Sequence, residues 1–148
     1  MKRSLTVLAI LIAALLAGAG WYVYSKQPTR QGTETLANLQ GAVTVRYDDR
    51  GVPHIRAENE TDLYRALGYV HAQDRLFQME IMRRLARGEL AEVLGPKVLE
   101  TDKLFRSLRI RERALSYVEH MDHDSAAWKA LQAYLDGINP VSYTHLRA

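Results

Sequence analysis

The chain has 148 residues, no cysteine, and a formal charge of +3 from 20 Lys and Arg against 17 Asp and Glu. The missing cysteine excludes disulfides, thiolate zinc sites and a Cys nucleophile within this segment. Basic and acidic residues are interleaved rather than gathered into a stripe, which argues against nucleic acid as the main partner.

The N-terminus reads as an export signal. Lys2 and Arg3 precede an uncharged run from Leu5 to Tyr24, and roughly 20 helical residues at ~1.5 Å each span a bilayer core. Two readings stay open for residues 1–24. Ala17-Gly18-Ala19 is the small-x-small pattern of a cleaved signal peptide. Trp21, Tyr22 and Tyr24 extend the apolar run past that point as an interfacial aromatic belt would, and they favour an uncleaved transmembrane anchor. Either way the basic flank stays in the cytoplasm, and the chain after Ser25 is exported to the periplasmic or extracytoplasmic side. Residues 25–40, with Pro28, Gly32 and no apolar periodicity, read as a linker and mobile tether.

Organised structure is expected from residue 41 to 139. Val43, Val45 and Tyr47 alternate with Thr44 and Arg46, the period of a strand with one buried face. Asp48-Asp49-Arg50-Gly51 supplies a turn, and Pro53 limits a second strand to a short piece around His54 to Ala57, giving a β-hairpin. Asn59 and Thr61 offer caps for a helix whose stripe runs through Leu63, Leu67, Val70, Phe77 and Ile81, with a kink near Gly68 and a stop at Gly88. Asp74 lies on that stripe, so it requires an ion pair or hydrogen bonds. Arg75, Arg83, Arg84 and Arg87 alternate with Glu80 and Glu89 as a solvated, salt-bridged face rather than an anion site.

Glu89 to Leu94 reads as a short helical turn stopped by Gly95-Pro96. Thr101-Asp102 looks like the next helix start, with a loose apolar face of Leu104, Leu108, Ala114, Leu115 and Val118. Ser125 caps a last helix through Trp128, Leu131, Tyr134 and Leu135, and Gly137 is expected to end it. His120 and His123 lack a nearby third ligand, so capping is the better reading than a metal site; His54, beside Pro53, is read as structural.

Gly68 to Gly95, GYVHAQDRLFQMEIMRRLARGELAEVLG, is more specific in its order than any amphipathic helix requires. With VRYDDRGVPHIRAEN upstream (Val45 to Asn59), it resembles the start of the penicillin acylase (penicillin amidase) family of N-terminal-nucleophile hydrolases. The resemblance covers Val43 to about Asn139. Residues 140–148, PVSYTHLRA, fall outside it and read as a non-native tail from a cloning or sequencing junction, with Pro140 stopping the helix.

The resemblance implies an α+β class: the N-terminal fragment of a four-layer αββα hydrolase, a β-hairpin followed by several α-helices. It implies a precursor cut into an α chain and a longer C-terminal β chain, the missing partner of this segment. The β chain would begin with a Ser whose own α-amine acts as base and would supply the oxyanion donors. The substrate would be a small N-acyl amide, such as a β-lactam with its acyl side chain or an acyl-homoserine lactone. Calcium is implied for the full-length protein, with ligands mostly beyond Asn139. No catalytic, cofactor-binding or metal residue is therefore carried over onto this chain, and the fragment is expected to be inactive alone. The alternative is a membrane-tethered helical binding or scaffold module without catalysis.

Overall fold

The structure is a computed structural model that describes residues 2–25 and 31–145, with side chains at 7, 10–25 and 31–141. The start of the expected linker, Pro28 included, and the last three residues of the expected tail lie outside the described residues.

The chain divides into two compact units, residues 1–33 and 34–148. The first is the helix α1 (Lys2–Ser25), whose side chains from Ile10 to Tyr24, Trp21 among them, are exposed. Among the described residues no helix is long and apolar enough to cross a membrane.

The second unit opens with an antiparallel hairpin of β1 (Thr44–Tyr47) and β2 (Pro53–Arg56), in a register that pairs Val45 with Ile55 and Tyr47 with Pro53. Val45, Tyr47, Pro53 and Ile55 are the half-buried residues of the two strands, as the alternation requires. Pro53 is tolerated because it stands at the first strand position. The Asp48 carboxylate closes the turn by accepting the amides of Arg50 (2.9 Å) and Val52 (2.8 Å), and Gly51 supplies the left-handed φ of +75°. His54 Nε2 stands 3.5 Å from the same carboxylate.

Helix α2 (Glu60–Arg87) begins at Asn59, whose side chain accepts the Asp62 amide (2.8 Å), and ends at Gly88 with φ +66°. Gly88 and Glu89 return their amides to the carbonyls of Leu85 and Arg84, which satisfies the last turn. The kink falls at Arg75 (φ −138°, ψ 20°) rather than near Gly68. The buried face also differs from the expected stripe. Asp62, Arg65, Ala66, Gly68, Val70 and Ala72 are buried, whereas Leu63, Leu67 and Ile81 are half-buried and Phe77 is 67% exposed. Small residues are inside because another backbone lies against them. Asp74 is half-buried and has an interaction partner.

That backbone is α6 (Ala126–His145), which packs along α2. A Cβ on Gly68 would run into the Tyr134 carbonyl, and one on Gly137 into the Arg65 carbonyl. Gly68 and Gly137 therefore mark a close approach of the two helices, and Gly137 is not a stop. The helix also continues through Pro140, and Val141 is buried together with Ala133. Burial of this face outweighs the local cost of a helical Gly and Pro. The start of α6 follows expectation, with Ser125 Oγ accepting the Trp128 amide (3.2 Å).

Between α2 and α6 lie α3 (Ala91–Leu94), a 3-10 turn at Pro96–Val98, α4 (Leu99–Ser107) and α5 (Ile110–His120). Thr101 and Asp102 lie inside α4 rather than at its start. Asp102 is buried and reaches back to accept the amides of Leu90 and Ala91, both at 2.8 Å. It caps a neighbouring helix instead of its own.

Candidate functional site

The densest polar cluster sits where α2 begins. Asp62 is 1% exposed and accepts hydrogen bonds from Asn59 Nδ2 (2.8 Å), the Gly41 amide (2.9 Å), the Gln40 amide (3.1 Å to each carboxylate oxygen) and Arg65 Nη1 (3.3 Å). Burial pushes this carboxyl up, but the hydrogen bonds from Asn59, Gln40 and Gly41 and the charge of Arg65 outweigh it and hold the group below the ordinary carboxylate value. Arg65 also donates to the Asn38 carbonyl (2.7 Å) and to Asp136 of α6 (3.4 Å), while its buried Nε has no partner. The end of the expected tether, Asn38 to Gln40, and Gly41 after it are thus fastened to α2 rather than mobile. Sequence reading missed most of the cluster because its bonded partners are separated by up to 71 positions.

Further along, α2 and α6 are joined by His71 Nδ1 and Tyr134 Oη at 3.1 Å, with the rings edge to face. Tyr69 Oη accepts Gln73 Nε2 (3.0 Å), and burial raises the Tyr69 hydroxyl above its ordinary value.

The far end of α2 carries the expected ion-paired face. Glu80 binds Arg83 and Arg84 at 2.7 Å, Arg84 reaches Glu92 (2.9 Å), and Arg87 reaches Glu89 (2.9 Å). The Arg83 hydrogen bond, helped by Arg84 and opposed by burial, lowers Glu80 to about 2. An open pocket of about 340 Å³ lies beside this face, lined by Ala86, Arg87, Glu89, Phe105, Arg106, Arg111 and Glu112. Arg106 is held by the Gly88 carbonyl (2.9 Å).

None of these groups is paired as nucleophile and base. The hydroxyls of Ser25, Ser107 and Ser125 donate to carbonyls three residues back in their own segments, those of Tyr22, Leu104 and Asp122. His120 Nδ1 contacts the Ser116 carbonyl (2.7 Å), whereas His123 contacts that of Val118 (3.2 Å) and stacks on Trp128. Among the described residues no group of three or more His, Asp or Glu could hold a metal ion. The arrangement is suited to joining helices and fixing an incoming segment.

The penicillin amidase family model matches residues 42–147 of this sequence. The chain belongs to the penicillin amidase family. The family match runs past Asn139, the expected end of the resemblance, and takes in most of the segment expected to be a non-native tail. Penicillin acylase 2 proenzyme of Pseudomonas sp. (strain SE83) is 44% identical over 76% of the chain. Acyl-homoserine lactone acylase QuiP of Pseudomonas aeruginosa is 35% identical over 84%. The chain spans 14% of the length of each. The thermostable penicillin G acylase of Alcaligenes faecalis shares its fold with a TM-score of 0.60 at 33% identity, covering 72% of this chain and 55% of that one. The largely helical unit with its two-stranded hairpin is thus part of a penicillin amidase family N-terminal-nucleophile hydrolase fold.

Proposed function

We propose that this chain is the N-terminal part of the α-chain region of an exported amide hydrolase precursor, and that it acts as a scaffold for chemistry supplied by a separate β chain. The family match over residues 42–147 carries this reading, and the proenzyme name of one relative supports a precursor. The reaction would be hydrolysis of the amide of a small N-acyl compound, by an N-terminal Ser acting through its own amine. Relatives named for penicillin and for acyl-homoserine lactones support both substrate classes equally. The buried Asp62, Arg65 and Asp102 side chains join separate segments, which supports a positional contribution.

The test compares the 148-residue chain with a precursor that continues into a family β-chain region. On penicillin-type, cephalosporin-type and acyl-homoserine lactone substrates, the precursor should release the acyl acid and the chain alone should not. Turnover by the chain alone that survives repurification and mutation of every serine would overturn the mechanism. A precursor that matures but hydrolyses no N-acyl amide would favour the tethered binding module.

Export rests on the sequence pattern, Lys2 and Arg3 before an uncharged helical run, and the aromatic residues from Trp21 to Tyr24 favour retention in the cytoplasmic membrane. Residues 1–40 fused to a reporter active only outside the cytoplasm should give signal; a silent reporter refutes export. Intact mass after membrane extraction decides whether Ala19-Gly20 is cut.

A further inference from the structure

The geometry points to a clasp in which ordering of the segment Asn38 to Gly41 depends on docking of α6 against α2, with Arg65 as the positioning residue between them. This segment is not held by strand pairing. Its fastenings are the Gln40 and Gly41 amides on Asp62, and the Asn38 carbonyl on Arg65 Nη1. The Arg65 side chain is only 8% exposed, and α6 creates part of that burial, because Gly137 lies against the Arg65 carbonyl and Asp136 meets Nη2 at 3.4 Å.

Without α6, Arg65 loses Asp136, one of its two carboxylate partners, and the backbone that lies against its own turn of α2. A charged pair exposed to water is screened and far weaker than a buried one. Asn38 holds a left-handed φ of +64°, a conformation that asparagine adopts more readily than most residues with a side chain. The clasp thus reports completion of the helix pair: the segment Asn38 to Gly41 becomes ordered after α6 has packed.

Hydrogen exchange at the Gln40 and Gly41 amides, in the full 148-residue chain, tests this. Asp136→Asn leaves the packing face intact and should speed exchange at both amides roughly two- to fivefold, as expected for a half-exposed ion pair. Gly137→Leu should undock α6 and speed it roughly tenfold or more. Arg83→Gln, at the other end of α2, should leave both unchanged. Protection of Gln40 and Gly41 that survives Asp136→Asn overturns the clasp, as does fast exchange at both amides in the unmodified chain. Should Gly137→Leu abolish folding altogether, Asp136→Asn alone decides.

Discussion

Glu80 shows how one residue acquires strength from its position. Placed three and four residues before two arginines on the same helical face, it receives Arg83 and Arg84 at once, and its carboxyl falls from 4.5 to about 2. A depressed carboxylate contributes stability that is fully present above the unfolded value and is lost as pH falls through the folded one. For Glu80 that window lies between 4.5 and about 2. Glu80→Gln should therefore flatten the acid limb of the stability profile in that window and leave the profile above about pH 6 parallel to that of the unmodified chain, as read by denaturant titration across pH. An unchanged acid limb would show that the pair adds nothing in solution. This face was legible in the sequence because i,i+3 and i,i+4 spacing is a local property. Asp62 could be placed at the positive start of α2 from sequence, but not its bonds to the Gln40 and Gly41 amides, which lie more than twenty positions away.

At the scale of the helix, α2 and α6 meet through their glycines. Alanine is favoured over glycine in a helix interior by about 1 kcal/mol, so local propensity predicts that Gly68→Ala and Gly137→Ala stabilise. The crossing predicts the opposite sign, because each added methyl meets a backbone carbonyl of the partner helix. Overpacking of this kind costs about 1–3 kcal/mol. Each substitution should accelerate amide exchange through the first half of α2, and slower exchange in either variant would show that the helices pack elsewhere. The same crossing explains why the expected stripe is only partly inside, with Val70 buried, Leu63, Leu67 and Ile81 half-buried and Phe77 exposed. Leu63, Leu67 and Phe77 match a helical period, but close approach selects small side chains: Gly68 meets the Tyr134 backbone, and Ala66 and Ala72 are buried. Asp102 follows the same logic: its sequence suggested a cap for its own helix, whereas the fold brings it to the amides of Leu90 and Ala91.

For the molecule as a whole, the apolar surface is unevenly covered. The α2–α6 pair is packed, whereas Leu104, Leu108, Leu115 and Tyr117 along α4 and α5 are exposed, Tyr117 at 70%. Each large apolar side chain left uncovered forfeits about 1.5–3 kcal/mol, against ~5–15 kcal/mol of stability in a whole domain. A piece cut to residues 27–139 also loses the buried Val141. It should show helix by circular dichroism, a broad thermal transition and strong binding of an apolar dye. A sharp cooperative transition with firm protection from Leu63 to Ile81 would mark an autonomous domain and favour the binding-module reading. The sequence by itself determined the hairpin, the ends of α2, the Ser125 cap, the ion-paired face and the family, because each rests on residues near one another in the chain. Only the tertiary structure decided which face of α2 is inside, that α6 runs through Gly137 and Pro140, and that Asp62 and Arg65 hold the segment at Asn38 to Gly41. Those features depend on where a second backbone lies, and helical periodicity specifies a face without specifying what packs against it.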